Sequence, residues 1–136
     1  MGRRLIWDTG VVIAIERHKI DPAAFMLVDD DVAVATVTLT ELKLGVKLSP
    51  PEKRARRTAS IEHVLLNCSL ADYTVEVTEF HADLKAHCRR TGTPRGELDL
   101  MIAATALATS RVLVTFDRKA CFGGLPGVNV IELPNT

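Results

Sequence analysis

Four carboxylates stand at comparable places along the chain. Asp8 directly follows the apolar run Leu5-Ile6-Trp7, and Asp117 directly follows the apolar run 112–116. Glu41 lies one helical turn beyond the apolar run 32–37, and Asp99 opens the apolar stretch 98–108. If the runs are parallel strands, these acids share the carboxyl edge of a sheet, where open α/β folds bind ligands. Two unit charges about 4 Å apart repel by about 1 kcal/mol in water and about 4 kcal/mol at an effective dielectric of about 20. A cluster of them is tolerated if protons are taken up or a cation sits among them. With no His or Cys paired to them, the acids select a hard, oxygen-seeking ion, Mg²⁺ or Mn²⁺, over Zn²⁺. Such ions activate water and stabilise the oxygens in phosphodiester cleavage.

Each acid also has a purely structural alternative. Asp8 suits the N-cap of a helix starting near Val11, and Thr38-x-x-Glu41 matches a capping box. Asp99 suits an N-cap with Glu97 beside it, and Asp117 suits a turn with Arg118 and Lys119.

The elements that must position these acids are legible as alternating apolar strands and helices. Strands are expected at 5–7, 32–37, 112–116 and 128–131, with a short one at 75–77. Helices are expected at 11–17, from Asp21-Pro22 to about Val28, and at 38–48, 52–67, 78–90 and 98–108. In the helix at 78–90, Phe80, Leu84 and Cys88 make the inner stripe. The stretch 98–108 is apolar almost all round and belongs in the centre of the domain. This alternation describes an α/β fold with a mostly parallel sheet.

Composition narrows the class. A chain of 136 residues allows one domain, 1–136, large enough to fold without disulfide or zinc. The hydrophobic share of 47% excludes a disordered chain, and an aromatic share of 4% makes the core aliphatic. Lys and Arg balance Asp and Glu at 17 each, which excludes histone-like binding to nucleic acid but not a local basic patch. Cys68, Cys88 and Cys121 form no Cys-x-x-Cys and fit reduced thiols packed as small apolar groups in a cytoplasmic protein. No run approaches the roughly 18 apolar residues of a membrane span. His18, His63, His81 and His87 have no acid at ligand spacing and are expected at surface or half-buried positions.

Taken in order, Leu5-Ile6-Trp7-Asp8-Thr9, Thr38-Leu39-Thr40-Glu41-Leu42-Lys43-Leu44-Gly45, Asp99-Leu100-Met101-Ile102-Ala103-Ala104, Leu113-Val114-Thr115-Phe116-Asp117 and Leu125-Pro126-Gly127-Val128 resemble the PIN-domain family. More narrowly, they resemble the toxin ribonucleases of bacterial VapBC toxin–antitoxin pairs. The resemblance implies a three-layer α/β/α PIN-like domain and a Mg²⁺- or Mn²⁺-dependent endoribonuclease. It carries the family's acidic quartet onto Asp8, Glu41, Asp99 and Asp117, and its strand-end threonine onto Thr115. It also implies a VapB-like antitoxin, operator DNA reached only through that antitoxin, and a homodimer. Two positions depart from the pattern. Gly10 stands where the family commonly has Ser or Asn, and Asp117 and Ala120 stand where many members have Asn and an acid.

On this reading Asp8, Asp99 and Asp117 hold the ion with Glu41 close by, and Thr9 and Thr115 hydrogen-bond to them. Phosphate contacts fall to Arg95, Arg118 and Lys119 with Arg89 and Arg90, or to the run Lys53, Arg54, Arg56 and Arg57. One Trp and one Tyr make no stacking platform, so a structured RNA read by shape is expected. A groove between the helices at 11–17 and 38–48 is expected to take an antitoxin helix. Two alternatives remain: a receiver-like signalling domain with a phosphoacceptor Asp, and a non-catalytic PIN-like binding domain. A receiver needs paired acids after the first strand, where Asp8 is alone; Asp29-Asp30-Asp31 precedes a strand, and Lys119 only loosely matches a receiver lysine.

Overall fold

Short β-branched and aliphatic runs build the sheet, because each is apolar on both faces and too short to span as a helix. A computed structural model describes residues 2–116 and 122–134. Its elements are β1 (Arg4–Trp7), α1 (Thr9–Glu16), β2 (Asp31–Ala35), α2 (Thr36–Leu48), α3 (Pro51–Asn67), β3 (Ser69–Ala71), α4 (Val75–Thr91), α5 (Glu97–Ala108), β4 (Val112–Thr115) and β5 (Val130–Glu132). The five strands form one sheet in the order β3-β2-β1-β4-β5, every pair parallel. The expected α/β architecture is therefore the observed one, with helices on both faces.

Alternation along the strands decides which layer each residue feeds. Leu5, Trp7, Val32, Val34 and Val114 face one layer with Val11 and Val12 of α1, Leu42 of α2, and Ile61 and Val64 of α3. Ile6, Ala33, Ala35 and Leu113 face the other, with Val77, Leu84 and Cys88 of α4 and Leu100, Ile102 and Ala103 of α5. The apolar α5 is central, as its composition requires. Cys88 is buried, and Cys68 is half-buried with its thiol pushed up to about 11 by burial, so both pack as apolar groups. Cys121 lies outside the described residues. No helix among those described is long and apolar enough to cross a membrane.

Several expectations are corrected. The segment 75–77 is the first turn of α4, not a strand: Thr74 caps it by accepting from the Val77 N–H, and Val75 is exposed. The strand next to β2 is instead Ser69–Ala71, only three residues long, too short for an alternation signal. Asp21 does cap a helical turn, but only the three residues Pro22–Ala24 follow in 3₁₀ form before the chain breaks away. Strand β2 stops at Ala35, and Val37 lies inside α2, because the helix starts at once where the sheet ends.

The amino edge of the sheet is tied by arginines. Arg111 Nη1 donates to Leu5 O (3.0 Å), Asp31 O (2.9 Å) and Asp31 Oδ1 (3.2 Å). Arg3 grips Asp30 through both carboxylate oxygens, at 2.8 and 2.6 Å, and Asp30 also accepts from the Leu27 N–H at 2.7 Å. The Arg3 hydrogen bonds hold the Asp30 carboxyl below the usual carboxylate range, against the opposing effect of burial. A carboxyl depressed in the fold stabilises it above the unfolded pKa, and that stabilisation is lost as pH falls through the folded value. Asp30→Asn should therefore lower the melting temperature at neutral pH, with the difference from the parent shrinking on acidification below the carboxylate range. A difference independent of pH would refute the assignment.

Candidate active site at the carboxyl edge of the sheet

Strands β2 and β4 flank β1 on opposite sides and are reached by crossovers on opposite faces, so the sheet has its topological switch point between β1 and β4. Asp8 leaves β1 at that point. Its extended backbone makes it the N-cap of α1, with Oδ1 accepting from the Thr9 N–H at 2.8 Å. Its N–H donates to Val114 O at 3.0 Å, and its Oδ2 accepts from Thr115 Oγ1 at 2.8 Å. Asp8 is 5% exposed and Thr115 2%, so this is a buried, charge-assisted hydrogen bond across the switch point. The capping alternative for Asp8 holds, and the same carboxylate also bridges two strands.

The second acid-bearing element is pinned by hydroxyls. Thr9 Oγ1 and Thr38 Oγ1 lie 2.9 Å apart, joining the first turns of α1 and α2, and Thr38 is fully buried. The capping-box alternative for Thr38 and Glu41 fails: α2 begins at Thr36 with Ala35 as N-cap, so Thr38 is already helical. Glu41, three residues on, shares the face of Thr38. It lines a hollow between α1, α2 and α3 with Val12, Ile13, Glu16, Gly45 and Arg57.

Asp99 sits in the first turn of α5, where the N-cap is Gly96 rather than Asp99 itself. Carboxylates there are favoured by the helix dipole. A Cβ on Gly96 would stand 3.2 Å from Asp99 Oδ2, so the missing side chain is what lets the carboxylate fold back over the turn. At Gly10 a Cβ would stand 4.0 Å from Asp8 Oδ2, so glycine leaves that flank of the carboxylate open.

Helix α5 ends just before β4 begins, so its start lies at the same edge as Asp8, Thr115 and the start of α2. The fold thus brings Asp8, Thr9, Thr38, Thr115 and Asp99 to one edge, with Glu41 on its α1–α3 side. Asp117, Arg118 and Lys119 lie outside the described residues. Among those described, no three His, Cys, Asp or Glu side chains are gathered as a metal cage. The side-chain donors that the described residues bring to the edge are carboxylate and hydroxyl oxygens, a set whose chemistry suits Mg²⁺ or Mn²⁺ rather than Zn²⁺. The acidic run Asp29-Asp30-Asp31 lies away from this edge: Asp31 opens β2 at the opposite one and Asp30 is spent on Arg3.

One cluster beside the site escaped sequence reasoning. His81 of α4 is buried, receives or gives a hydrogen bond with Tyr73 Oη at 2.7 Å through Nδ1, and places Nε2 at 2.9 Å from Glu97 Oε1. Lys85 Nζ donates to both Glu97 oxygens at 3.1 Å, and this holds the Glu97 carboxyl below its ordinary range. These contacts tie α4 to the first turn of α5. The available signal was spacing: Val77, His81, Leu84 and Cys88 form the fully buried stripe of α4, beside Phe80.

Comparison with known proteins points one way. The family model for the PIN domain matches residues 5–122. A "Ribonuclease VapC" of Rickettsia bellii is 30% identical over 131 residues, covering 96% of each chain. "Ribonuclease VapC4" of Mycobacterium tuberculosis is 34% identical over 132 residues, covering 96% of this chain and 98% of the relative. A crystal structure of VapBC-5, a toxin–antitoxin family member from Mycobacterium tuberculosis, contains a chain that superposes with a TM-score of 0.79 at 30% identity, over 96% of this chain and 98% of that one.

The Asp8–Thr115 bond generates a prediction. Thr115→Val removes a charge-assisted hydrogen bond to a buried carboxylate and should lower unfolding free energy by about 1.5–3 kcal/mol. A urea titration reads this as a fall in midpoint; an unchanged midpoint would mean that the carboxylate does not lean on that hydroxyl.

Proposed function

The chain belongs to the PIN domain family, and from that premise we propose that it is a metal-dependent endoribonuclease, the toxin of a VapBC-type toxin–antitoxin pair. The observation that carries the reading is the buried Asp8 carboxylate, held across the switch point by Thr115 and the Thr9 N–H. A carboxylate so immobilised is a preorganised ligand rather than a solvated surface charge.

The reaction proposed is hydrolysis of an RNA phosphodiester. Asp8, Asp99 and Asp117 would hold Mg²⁺ or Mn²⁺, with Glu41 beside them. Such an ion, when bound, supplies charge neutralisation on phosphate oxygens and lowers the pKa of water. The chain's own residues then have separate tasks. Thr115 and the α1 N-terminus fix the direction of the Asp8 oxygens. The Thr9–Thr38 pair sets the distance between α1 and α2, and hence the place of Glu41. Gly96 gives Asp99 room to turn inward. A structured RNA, bound by backbone and shape, fits a chain without stacking aromatics.

The proposed partner is a VapB-like antitoxin, supported by the VapBC-5 complex. The hollow between α1, α2 and α3 is the proposed groove for its helix, with apolar walls from Val12, Ile13 and Leu42 and with Glu16 and Glu41 inside it. An antitoxin arginine pairing with these acids and displacing the metal would silence the enzyme. Operator DNA would be reached only through the antitoxin, and two copies of this chain are proposed to pair in the assembly.

Incubation of the purified chain with labelled RNA and Mg²⁺ or Mn²⁺ tests the reading. Cleavage should appear, stop with EDTA, and vanish in Asp8→Asn and Asp99→Asn. Thr115→Val should slow it by about 10–100-fold, since it perturbs a ligand rather than removing one. Cleavage that survives both Asn substitutions would exclude these acids from the chemistry. In EDTA, Asp99→Asn should raise the melting temperature, because it removes one of several like charges; no rise would argue that the acids do not repel one another.

A further inference from the structure

We infer that the elbow between α4 and α5 is a subsite for an RNA backbone phosphate, gripped by Arg89 and Arg95 at the start of the helix that carries Asp99; the inference rests on the ribonuclease reading. The elbow encloses an open hollow of about 360 Å³, lined by Lys85, Cys88, Arg89, Pro94, Arg95 and Glu97. That volume lies within the roughly 300–1,000 Å³ range of ligand clefts. Among the described residues, three cations line it with one carboxylate. The carboxylate is already spent: Glu97 takes two hydrogen bonds from Lys85 and contacts His81. Neither arginine has an ion pair among the described residues, and the buried Nη1 of half-buried Arg95 has no hydrogen-bond partner. A guanidinium withdrawn from water without a counter-charge is unfavourable, and a phosphate supplies both the charge and the acceptors.

The other basic run does different work. Arg54 Nε donates to Ser49 O and Arg57 Nη1 to Gly45 O, at 3.2 and 3.3 Å, so those side chains close the carbonyl end of α2. The dipole of α4 accounts for cations in its last turn, Arg89 and Arg90. It does not account for Arg95, which lies beyond the left-handed Gly92 that ends the helix. Arg95 is instead separated from Asp99 by the one turn in which Gly96 lets the Asp99 carboxylate fold back. Gly124 leaves further room, since a Cβ there would stand 3.3 Å from Arg95 Nη2. A phosphate held by Arg95 and Arg89 would therefore belong to a nucleotide neighbouring the bond presented to Asp99.

The test uses the full chain with a fluorescein-labelled RNA hairpin. Binding is read by anisotropy across a salt series in an Asp99→Asn background, and cleavage kinetics are read with Asp99 intact. R89Q/R95Q should raise Kd and KM by about tenfold with kcat nearly unchanged, and should flatten the slope of log K against log salt by about 0.7–0.9 per lost contact. R89K/R95K should restore most of the affinity. R89Q alone, at an exposed helix position, should give part of the effect in a chain that melts like the parent. Unchanged Kd, KM and salt slope in R89Q/R95Q, with cleavage still abolished by Asp99→Asn, would overturn the subsite and leave the ribonuclease reading intact. So would loss of binding in K53Q/R56Q but not in R89Q/R95Q. Arginine-dependent binding without cleavage by the unsubstituted chain would overturn the ribonuclease reading and leave the subsite standing.

Discussion

A carboxylate that is almost wholly buried must be hydrogen-bonded or it does not stay charged. Asp8 meets that demand with a donor 107 residues away in sequence, the hydroxyl of Thr115. The bond exists only because β1 and β4 pair in parallel with Trp7 opposite Val114, which sets position 8 beside position 115. A slip of one residue would turn Thr115 to the other face and take its hydroxyl away from the Asp8 carboxylate. The register of the central strands and the chemistry of the edge are thus one constraint.

The two edges of the sheet divide the charges. At the amino edge, Asp30 and Asp31 are matched by Arg3, Arg4 and Arg111, and the carboxylates there serve to tie chain segments together. At the carboxyl edge, the Thr115 hydroxyl and the Thr9 N–H both donate to Asp8, and such neutral donors orient a negative charge without cancelling it. A chain of zero formal charge can in this way sort its charges between the edges, because Arg3, Arg4 and Arg111 are spent at the amino edge. The same sorting separates the basic residues: Arg54 and Arg57 are bound to helix-end carbonyls, while the α4–α5 elbow keeps its arginines in reserve.

Helix α5 joins these themes. It is apolar enough to fill the centre of the domain, yet its first turn holds Glu97 and Asp99 at the open edge. Glu97 is fastened to α4 through Lys85 and His81, with Tyr73 behind the imidazole. That anchorage sets where the first turn ends and where Asp99 begins, so a structural ion-pair cluster and a candidate ligand share two residues of separation.

Much of this was legible before folding. Local patterns suffice for elements that are long or strongly apolar, so α3, α5, β1 and β4 fall close to their expected places. Three of the acids were singled out because each comes just after an apolar run, and Asp99 because it opens one. What failed had little local signal. The three residues of β3 are too few to alternate, and 75–77 is β-branched by composition but capped into a helix by Thr74. Thr38 looked like a capping residue and is instead a hydroxyl strut to Thr9. His81 was expected at a surface or half-buried position, although it occupies a buried one beside Tyr73 and Glu97. Residue type and spacing therefore sufficed, unaided, for the class of fold, and they singled out the acids on which the proposal of a hard ion rests. Which donors meet those acids, which arginines stay unspent and which helices touch are long-range matters, decided only when strands from opposite ends of the chain come into register, because a hydrogen bond depends on position in space and not on distance along the chain.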